Sequence, residues 1–399
     1  MTTPELRRVT DDEWLEYCRW WSANFHEEPD DEGARAWQGS LPPRRCWTAT
    51  DEVGHLASSG AMPFRISVPG GATLGCAGIT IVGVRVDHRR QGLLRAMMTR
   101  LHEDALAHDE PVAALYASEA AIYGRFGYGL AVPLDEVTIR SQDLATIRGG
   151  DAARVHLVTR ERWLDLAPRL AAEVGRRRAG MLTLPDGAWE ASLHTSDKHP
   201  HRFAAVGERG VVHYRTKDGP WEHRVPDATL EVRSMFAVDP AAEADLWAHL
   251  AAVDLVTEIT AKHVPVDHPL RFMVADEARV RDRSFLPMWV RLLDLPRALA
   301  ARTWEVADRL VLAVTDRSMP ANAGTWSLDA GPDGCEVTRT DDPADAALDV
   351  ADLASLWLGG VAPATLLAAG RLEVAAPDVV GRLRRLFATD VAPWTPFDF

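Results

Sequence analysis

VRVDHRRQGLLRAM, Val84 to Met97, decides how the rest of the chain is read. It opens β-like, passes through His88, Arg89, Arg90 and Gln91 to a single glycine, Gly92, and then becomes an apolar, helix-forming run. A helix start carries unpaired backbone N–H groups and the positive end of the peptide dipole, so cations and a glycine placed there suit an anion such as phosphate. Glycine lets that backbone approach closely, with no Cβ in the way. The plainer reading is an exposed turn with solvated arginines, and the stretch alone does not separate the two.

The flanks add order. Upstream, AGITIVGVRV is rich in β-branched residues and reads as a buried strand. Downstream, Leu93, Leu94, Met97, Met98 and Leu101 fall on one helical face and read as core. PVAALYAS is a second buried strand, followed by EAAIYGRFGYG with Tyr123 and a Phe126-Gly127-Tyr128 corner. The order is strand, arginine–glycine turn, helix, strand, then a short tyrosine-bearing segment.

Composition sets the wider frame. The chain has 399 residues, 47% hydrophobic and 26% charged, with room for two or three soluble domains. Lys plus Arg is 44 and Asp plus Glu is 58, a net charge of −14. That balance argues against nucleic acid or an anionic membrane surface as partner and suits a cationic substrate. Cys18, Cys46, Cys76 and Cys335 form no CxxC pair and read as reduced thiols of a cytoplasmic protein. MTTPELRRVTDDEW has no apolar leader, and no run is long enough to span a bilayer, so a soluble intracellular protein is expected. The histidine-rich HTSDKHPH, His194 to His201, reads as loop, with no metal called.

An internal echo divides the chain. VTDDEWL (Val9 to Leu15) returns as VTRERWL (Val158 to Leu164), with Thr10 and Thr159 as expected N-caps and Glu13 placed for a capping box. FAVDPAAEADLWAHL (Phe236 to Leu250) repeats the strand-then-helix grammar of the opening stretch. Its Ala241, Ala242 and Ala244 stand where the first copy has Arg89, Arg90 and Gly92. Two similar domains are expected, residues 1–149 and 150–290, one with an anion site and one without, with Gly149 and Gly150 near the boundary. A third segment, residues 291–399, combines β-rich stretches with ALDVADLASLWLGG and a last helix, VVGRLRRLFATD.

Val82 to Arg95 resembles the acetyl-CoA motif of the GNAT superfamily of N-acetyltransferases. Arg89, Gly92 and Leu94 occupy its key places, Leu94 where Gly or Ala is usual. RRQGLLRAMM and ASEAAIYGRFGYG closely resemble the enhanced intracellular survival family of these enzymes, and the resemblance covers essentially the whole chain. It implies an α+β fold with two tandem mixed-sheet acetyltransferase-like domains, the second degenerate, and a domain of sterol-carrier-protein type.

The implied cosubstrate is acetyl-CoA, with no metal. Val82, Gly83 and Val84 would bind the pantetheine arm as a strand edge binds an extended amide. The amides of Arg90, Gln91, Gly92, Leu93, Leu94 and Arg95 would wrap the pyrophosphate, with Arg89 and Arg90 adding charge. Ser118 and Glu119 would close the far side of the arm, although Glu119 also reads as an ordinary helix-start charge. Tyr123 is the implied general acid, its alternative being a packed ring, and Tyr128 is the packed aromatic. No side chain is tied to the motif as base, and the resemblance assigns that role to the α-carboxylate of Phe399. Glu27, Glu28, Trp37 and Asp398 would hold the acceptor through charge and stacking, the alternative for HEEPDDE being a solvated loop. The expected activity is N-acetylation of aminoglycoside- or lysine-type amines by direct transfer in a ternary complex, in a homohexamer. The rival reading is a lipid or acyl-CoA carrier or sensor with a vestigial site.

Overall fold

A computed structural model describes residues 5–28, 30–194, 199–219 and 227–399. The strands of the first unit are β1 (Arg7–Arg8), β2 (Cys46–Asp51), β3 (Gly54–Ser67), β4 (Thr73–Val84), β5 (Val112–Tyr116) and β6 (Gly129–Arg140). Those of the second are β7 (His156–Leu157), β8 (Leu182–Thr183), β9 (His201–Val206), β10 (Gly210–Lys217), β11 (Ala228–Ala237), β12 (Val256–Pro265) and β13 (Arg281–Leu292). The third unit contributes β14 (Asp308–Thr315), β15 (Gly324–Gly331), β16 (Gly334–Arg339), β17 (Ala346–Asp349) and β18 (Leu372–Val374).

The α+β architecture in three successive units agrees with the sequence reading. The first two units, however, share one sheet, in the order β1-β2-β3-β4-β5-β13-β6-β12-β11-β10-β9-β7, with β8 paired to β3. β13, the last strand of the second unit, lies between β5 and β6 of the first and is antiparallel to both. β6 in turn pairs with β12 of the second unit. Neither unit completes its own sheet. The third unit has its own sheet, β16-β15-β14-β17-β18, in which β14 and β17 are parallel.

Local chemistry explains the helices. The Leu93–Ala107 helix buries Leu93, Met97, Met98, Leu101 and Ala105, the face its spacing predicts, while Leu94 is only half-buried. Thr159 caps the Arg160–Arg177 helix by accepting the N–H of Arg162. Thr10 does not cap its counterpart. That helix begins at Trp14, and the Glu13 carboxylate accepts the Thr10 N–H at 2.8 Å while Arg7 grips it at 2.6 Å. The reach-back half of the capping box forms, and a turn from Asp11 to Trp14 takes the place of the other half. Three of the four cysteines are buried and all are free thiols. His201 belongs to β9 and not to a loop, and residues 195–198 of that histidine run lie outside the described residues. No helix among the described residues is long and apolar enough to cross a membrane.

The third unit is fastened to the shared sheet. Its Val350–Trp357 helix is buried at every residue and packs on β6 and β13. Arg291 on β13, fully buried, donates to Asp316 at 2.5 Å, and Asp316 also accepts from the backbone of Met319 at 2.9 Å and from Asn322 at 3.1 Å. Removing one member of such a pair leaves a buried charge without its partner. Asp316→Ala is therefore expected to destabilise the protein by about 3–5 kcal/mol, read from chemical denaturation.

Candidate functional site

The site begins where two parallel strands part. β4 and β5 pair at Cys76, Ala77 and Gly78 with Val112, Ala113 and Ala114, and the pairing stops there. β4 then bulges against β3: Ser58 faces Gly83 and Gly60 faces Thr80, so β4 carries one residue more than its partner. Ile81 takes φ 50 at that point, and its carbonyl accepts the Ser58 hydroxyl at 2.6 Å. A β-branched residue in the left-handed region is a true outlier, and a bulge bends the strand that carries it. β5 cannot follow the bend, because β13 holds its other edge. Val82, Gly83 and Val84 thus lie along a strand edge that β5 leaves open, and that edge suits an extended amide chain.

At the end of β4 the turn leads into the Leu93–Ala107 helix. Arg85 is tied to Asp51 at 2.6 Å and Asp87 at 2.8 Å, whereas Arg89, Arg90 and Arg95 are exposed and meet no acidic side chain among the described residues. Arg90 has φ 63 and Gly92 has φ 88. Glycine is needed at the second, because a left-handed residue there directs the first amides of the helix outward with no side chain above them. No side chain caps this helix. The counterpart helix of the second unit, Pro240–Ala251, is closed instead: Asp239 accepts the Ala242 N–H at 2.9 Å, and Pro240 brings no N–H at all. An open strand edge followed by an uncapped helix start and free cations fits the amide arm and pyrophosphate of CoA; the second unit's start does not.

Ser118 and Glu119 are exposed just past β5. Glu119 holds the N-cap position of the Ala120–Tyr123 helix, yet its side chain makes no cap bond. Tyr123, 8% exposed, shares a buried cluster with Ile79, Leu115 and Ala117, against which Val82 also packs. Burial first, and Glu119 second, raises its phenol above the ordinary value, so it stays protonated at neutral pH. Tyr128 is the packed aromatic, fully buried with its hydroxyl 3.0 Å from His102. His88 lies in the turn beside Asp87 at 3.0 Å.

The chain's last residues reach the same place. The Phe399 ring packs on Phe64 and Tyr116, with centroids 4.9 Å and 5.3 Å away, directly over Gly78 at the parting of β4 and β5. A Cβ at Gly78 would stand 2.3 Å from the Phe64 ring, so only glycine leaves room for this stack. The Tyr116 hydroxyl donates to the Phe397 carbonyl at 2.7 Å.

One cavity lies against the terminus, and a second shares its Trp37 wall. The inner one, about 130 Å³, has walls from Phe64, Trp163, His213 and Arg233 together with Trp37, Asp398 and Phe399. His213 is pushed down to about 3, by burial first and then by His201, so its imidazole is neutral. The outer one, about 1100 Å³, is lined by Glu27, Glu28, Asp30, Asp31, Glu32 and Trp37 among others. Trp37 lies on the short Asp31–Trp37 helix, stacks on Trp21 at 5.5 Å, and borders both cavities. The acidic run is therefore partly helical, not simply a loop.

Glu27, Glu28 and Trp37 meet on the outer groove, and Trp37, Asp398 and Phe399 on the inner cavity. Tyr123 borders neither, standing in its cluster beside β4 and β5. Phe64, Tyr116, Trp163, His213 and Arg233 were missed in the sequence, since nothing in their spacing marks them. Four come from strands whose alternation signals only burial.

Comparisons with known proteins identify the kind of domain each unit is. Residues 5–131 and 180–292 each match an acetyltransferase (GNAT) domain, and residues 295–396 match a sterol carrier protein domain. The chain is 34% identical over 414 residues to an uncharacterised N-acetyltransferase of Streptomyces avermitilis, covering 100% of both chains. It is 31% identical over 425 residues to the N-acetyltransferase Eis of Mycobacterium tuberculosis, again covering 100% of both. Among solved structures, Eis1 of Mycobacterium abscessus superposes with a TM-score of 0.86 at 28% identity, over 99% of this chain and 100% of that one.

Proposed function

The chain belongs to the Eis-type family of GNAT-superfamily N-acetyltransferases, and on that premise we propose that it acetylates primary amines of multiply charged, aminoglycoside- or lysine-type acceptors by direct transfer in a ternary complex. Acetyl transfer from acetyl-CoA to an amine comes with the family. The acceptor class and the residue roles are our reading, and one observation carries them. An acidic groove and a smaller cavity share Trp37 as a wall, and the smaller one is also lined by the chain terminus, which sits where β4 and β5 part. A lipid-carrier role has no comparable support.

In this reading acetyl-CoA supplies an activated acetyl thioester, and the chain does the rest. The edge at Val82, Gly83 and Val84 binds the pantetheine arm. The amides from Arg90 through Gln91, Gly92, Leu93 and Leu94 to Arg95 bind the pyrophosphate, with Arg89 and Arg90 adding charge. Ser118 and Glu119 flank the arm from the end of β5. Glu27 and Glu28 attract the cationic acceptor, Trp37 lies against it, and Asp398 stands beside the reacting amine. The Phe399 carboxylate takes the proton that the nitrogen sheds as its bond to the acetyl carbon forms. Tyr123 gives a proton to the departing thiolate sulfur, and its raised pKa keeps that proton available. Residues 1–149, 150–290 and 291–399 are the proposed units of a cytoplasmic homohexamer.

Thiol release measured with acetyl-CoA and a panel of amines tests the whole reading, and acetylation of polycations in preference to monoamines is the expected result. Tyr123→Phe is expected to lower kcat by about 10²–10⁴ while calorimetry finds CoA affinity unchanged. Deleting Phe399, or masking its carboxylate with a C-terminal tag, should abolish most turnover at unchanged CoA affinity and melting temperature. A fully active tagged protein would show that the base lies elsewhere. Glu27→Gln with Glu28→Gln should raise KM for multiply charged amines more than for singly charged ones. Salt should narrow the same preference, because exposed charges are screened over about 8 Å at physiological ionic strength.

A further inference from the structure

The second unit repeats the parting of strands that the first unit uses. β11 and β12 are parallel, pair from Ala228–Val256 to Val232–Ala261, and then separate. Arg233 is an extra residue of β11 against β10, lying between the pairs Val232–Tyr214 and Ser234–His213. β12 bulges too: Lys262 and His263 face the single Glu136 of β6, and His263 has φ 53. Asp239 and Pro240 have closed the helix start that would hold a pyrophosphate. A splay and its bulges have thus outlived the anion site beside them. Strain of this kind persists only where the surroundings over-determine it, so it calls for a reason.

What fills this splay is the chain's own tail. Trp394, 8% exposed, donates its indole N–H to the carbonyl of the bulged His263 at 2.5 Å and its backbone N–H to Ala179 at 2.8 Å. Two residues earlier, Ala392 is clamped from both sides. Arg178 donates to its carbonyl at 2.7 Å, Asp267 accepts its N–H at 2.8 Å, and Arg178 pairs with Asp267 at 2.6 Å. About 140 Å³ of space remains in the splay, bounded by Trp394, Pro396 and Trp247. Beyond this anchor the tail crosses to the first unit, where Tyr116 and Phe64 receive its last three residues.

We propose that the vestigial cofactor splay of the second unit is a socket for the chain's own tail, and that Trp394 is a positioning residue that sets where the Phe399 carboxylate stands in the first unit. Trp394 touches neither the acceptor nor the acetyl group; it acts through the chain that follows it. The bulge at His263 frees a carbonyl from the sheet ladder, and that carbonyl is the one the indole takes. Proline at 393 and 396 limits the freedom lost when the tail is seated. The inference rests on reading the Phe399 carboxylate as the base.

The test compares Trp394→Ala, Trp394→Phe and the Phe399 deletion in the full-length enzyme, following kcat, KM, CoA affinity and the release of Phe399 by carboxypeptidase. In Trp394→Ala, Phe399 should be released much faster than from the wild type. Its kcat should fall by about 10²-fold, the scale of a small misplacement of a reacting group, with CoA affinity unchanged. Trp394→Phe keeps an aromatic ring but loses the indole N–H and part of the bulk, so it should change both readouts in the same direction by less, and it stays informative if the alanine variant does not fold. A tail as protected as the wild type's in both variants overturns the socket. A released tail with unchanged kcat, beside an inactive Phe399 deletion, overturns the positioning role. If the Phe399 deletion keeps full activity, the base reading has failed, and the protection data still decide the socket.

Discussion

β13 pairs with β5 from Met288–Tyr116 to Leu292–Val112 and with β6 on its other side, and most of the molecule depends on that insertion. A strand of the second unit completes the sheet of the first, so the two cannot shift against one another without breaking both ladders. The insertion also pins β5 on the edge away from β4. When the bulge at Ile81 bends β4, β5 stays where β13 holds it, and a cleft opens between them. Arg291, on the same strand, fastens the third unit through Asp316. One pairing thus shapes the cleft and locks the three units into the arrangement that lets the tail reach it.

The two acetyltransferase units share an architecture and differ in what their helix starts leave open. Both have a splay, a bulge and a helix starting at the same point of the topology. In the first unit a left-handed glycine, Gly92, leaves the helix start uncapped beside exposed arginines. In the second, the Asp239 carboxylate takes an N–H and the positive end of the dipole for itself. A capped start is more stable and has nothing left to offer an anion. The second unit's parted strands take Trp394 and Pro396.

The acidic groove and the cavity beside it pair charge at one with close shape at the other. The groove carboxylates near Glu27 and Glu28 are held ionised in part by partners: Asp30 is lowered by His194, and Asp31 by Arg19. The inner cavity has the rings of Trp37, Phe64, Trp163, Phe397 and Phe399 in its wall, together with a neutral His213. In the proposed reading the entrance selects for positive charge and the interior for how one amine fits against Trp37 and the terminus. The second unit supplies part of that interior through Trp163, His213 and Arg233.

Much of this was legible in the sequence because it is written in local periods. Val84 to Met97 announced a strand, an open turn and a helix, and the buried face of Leu93, Met97, Met98 and Leu101 followed from spacing alone. The echo at Thr159 pointed to two similar units, and residues 5–131 and 180–292 each match an acetyltransferase domain. The expected cap at Thr10 was wrong, because the helix starts only at Trp14 and a turn from Asp11 to Trp14 stands where the cap would be. Tertiary structure alone decided that β13 would cross into the first unit, that Gly78 would lie under Phe399, and that Trp394 would sit beneath His263. Periodicity specifies which face of an element is buried, but not against which partner. Strand pairing is chosen by long-range topology, and residues hundreds of positions apart meet only when that choice has been made.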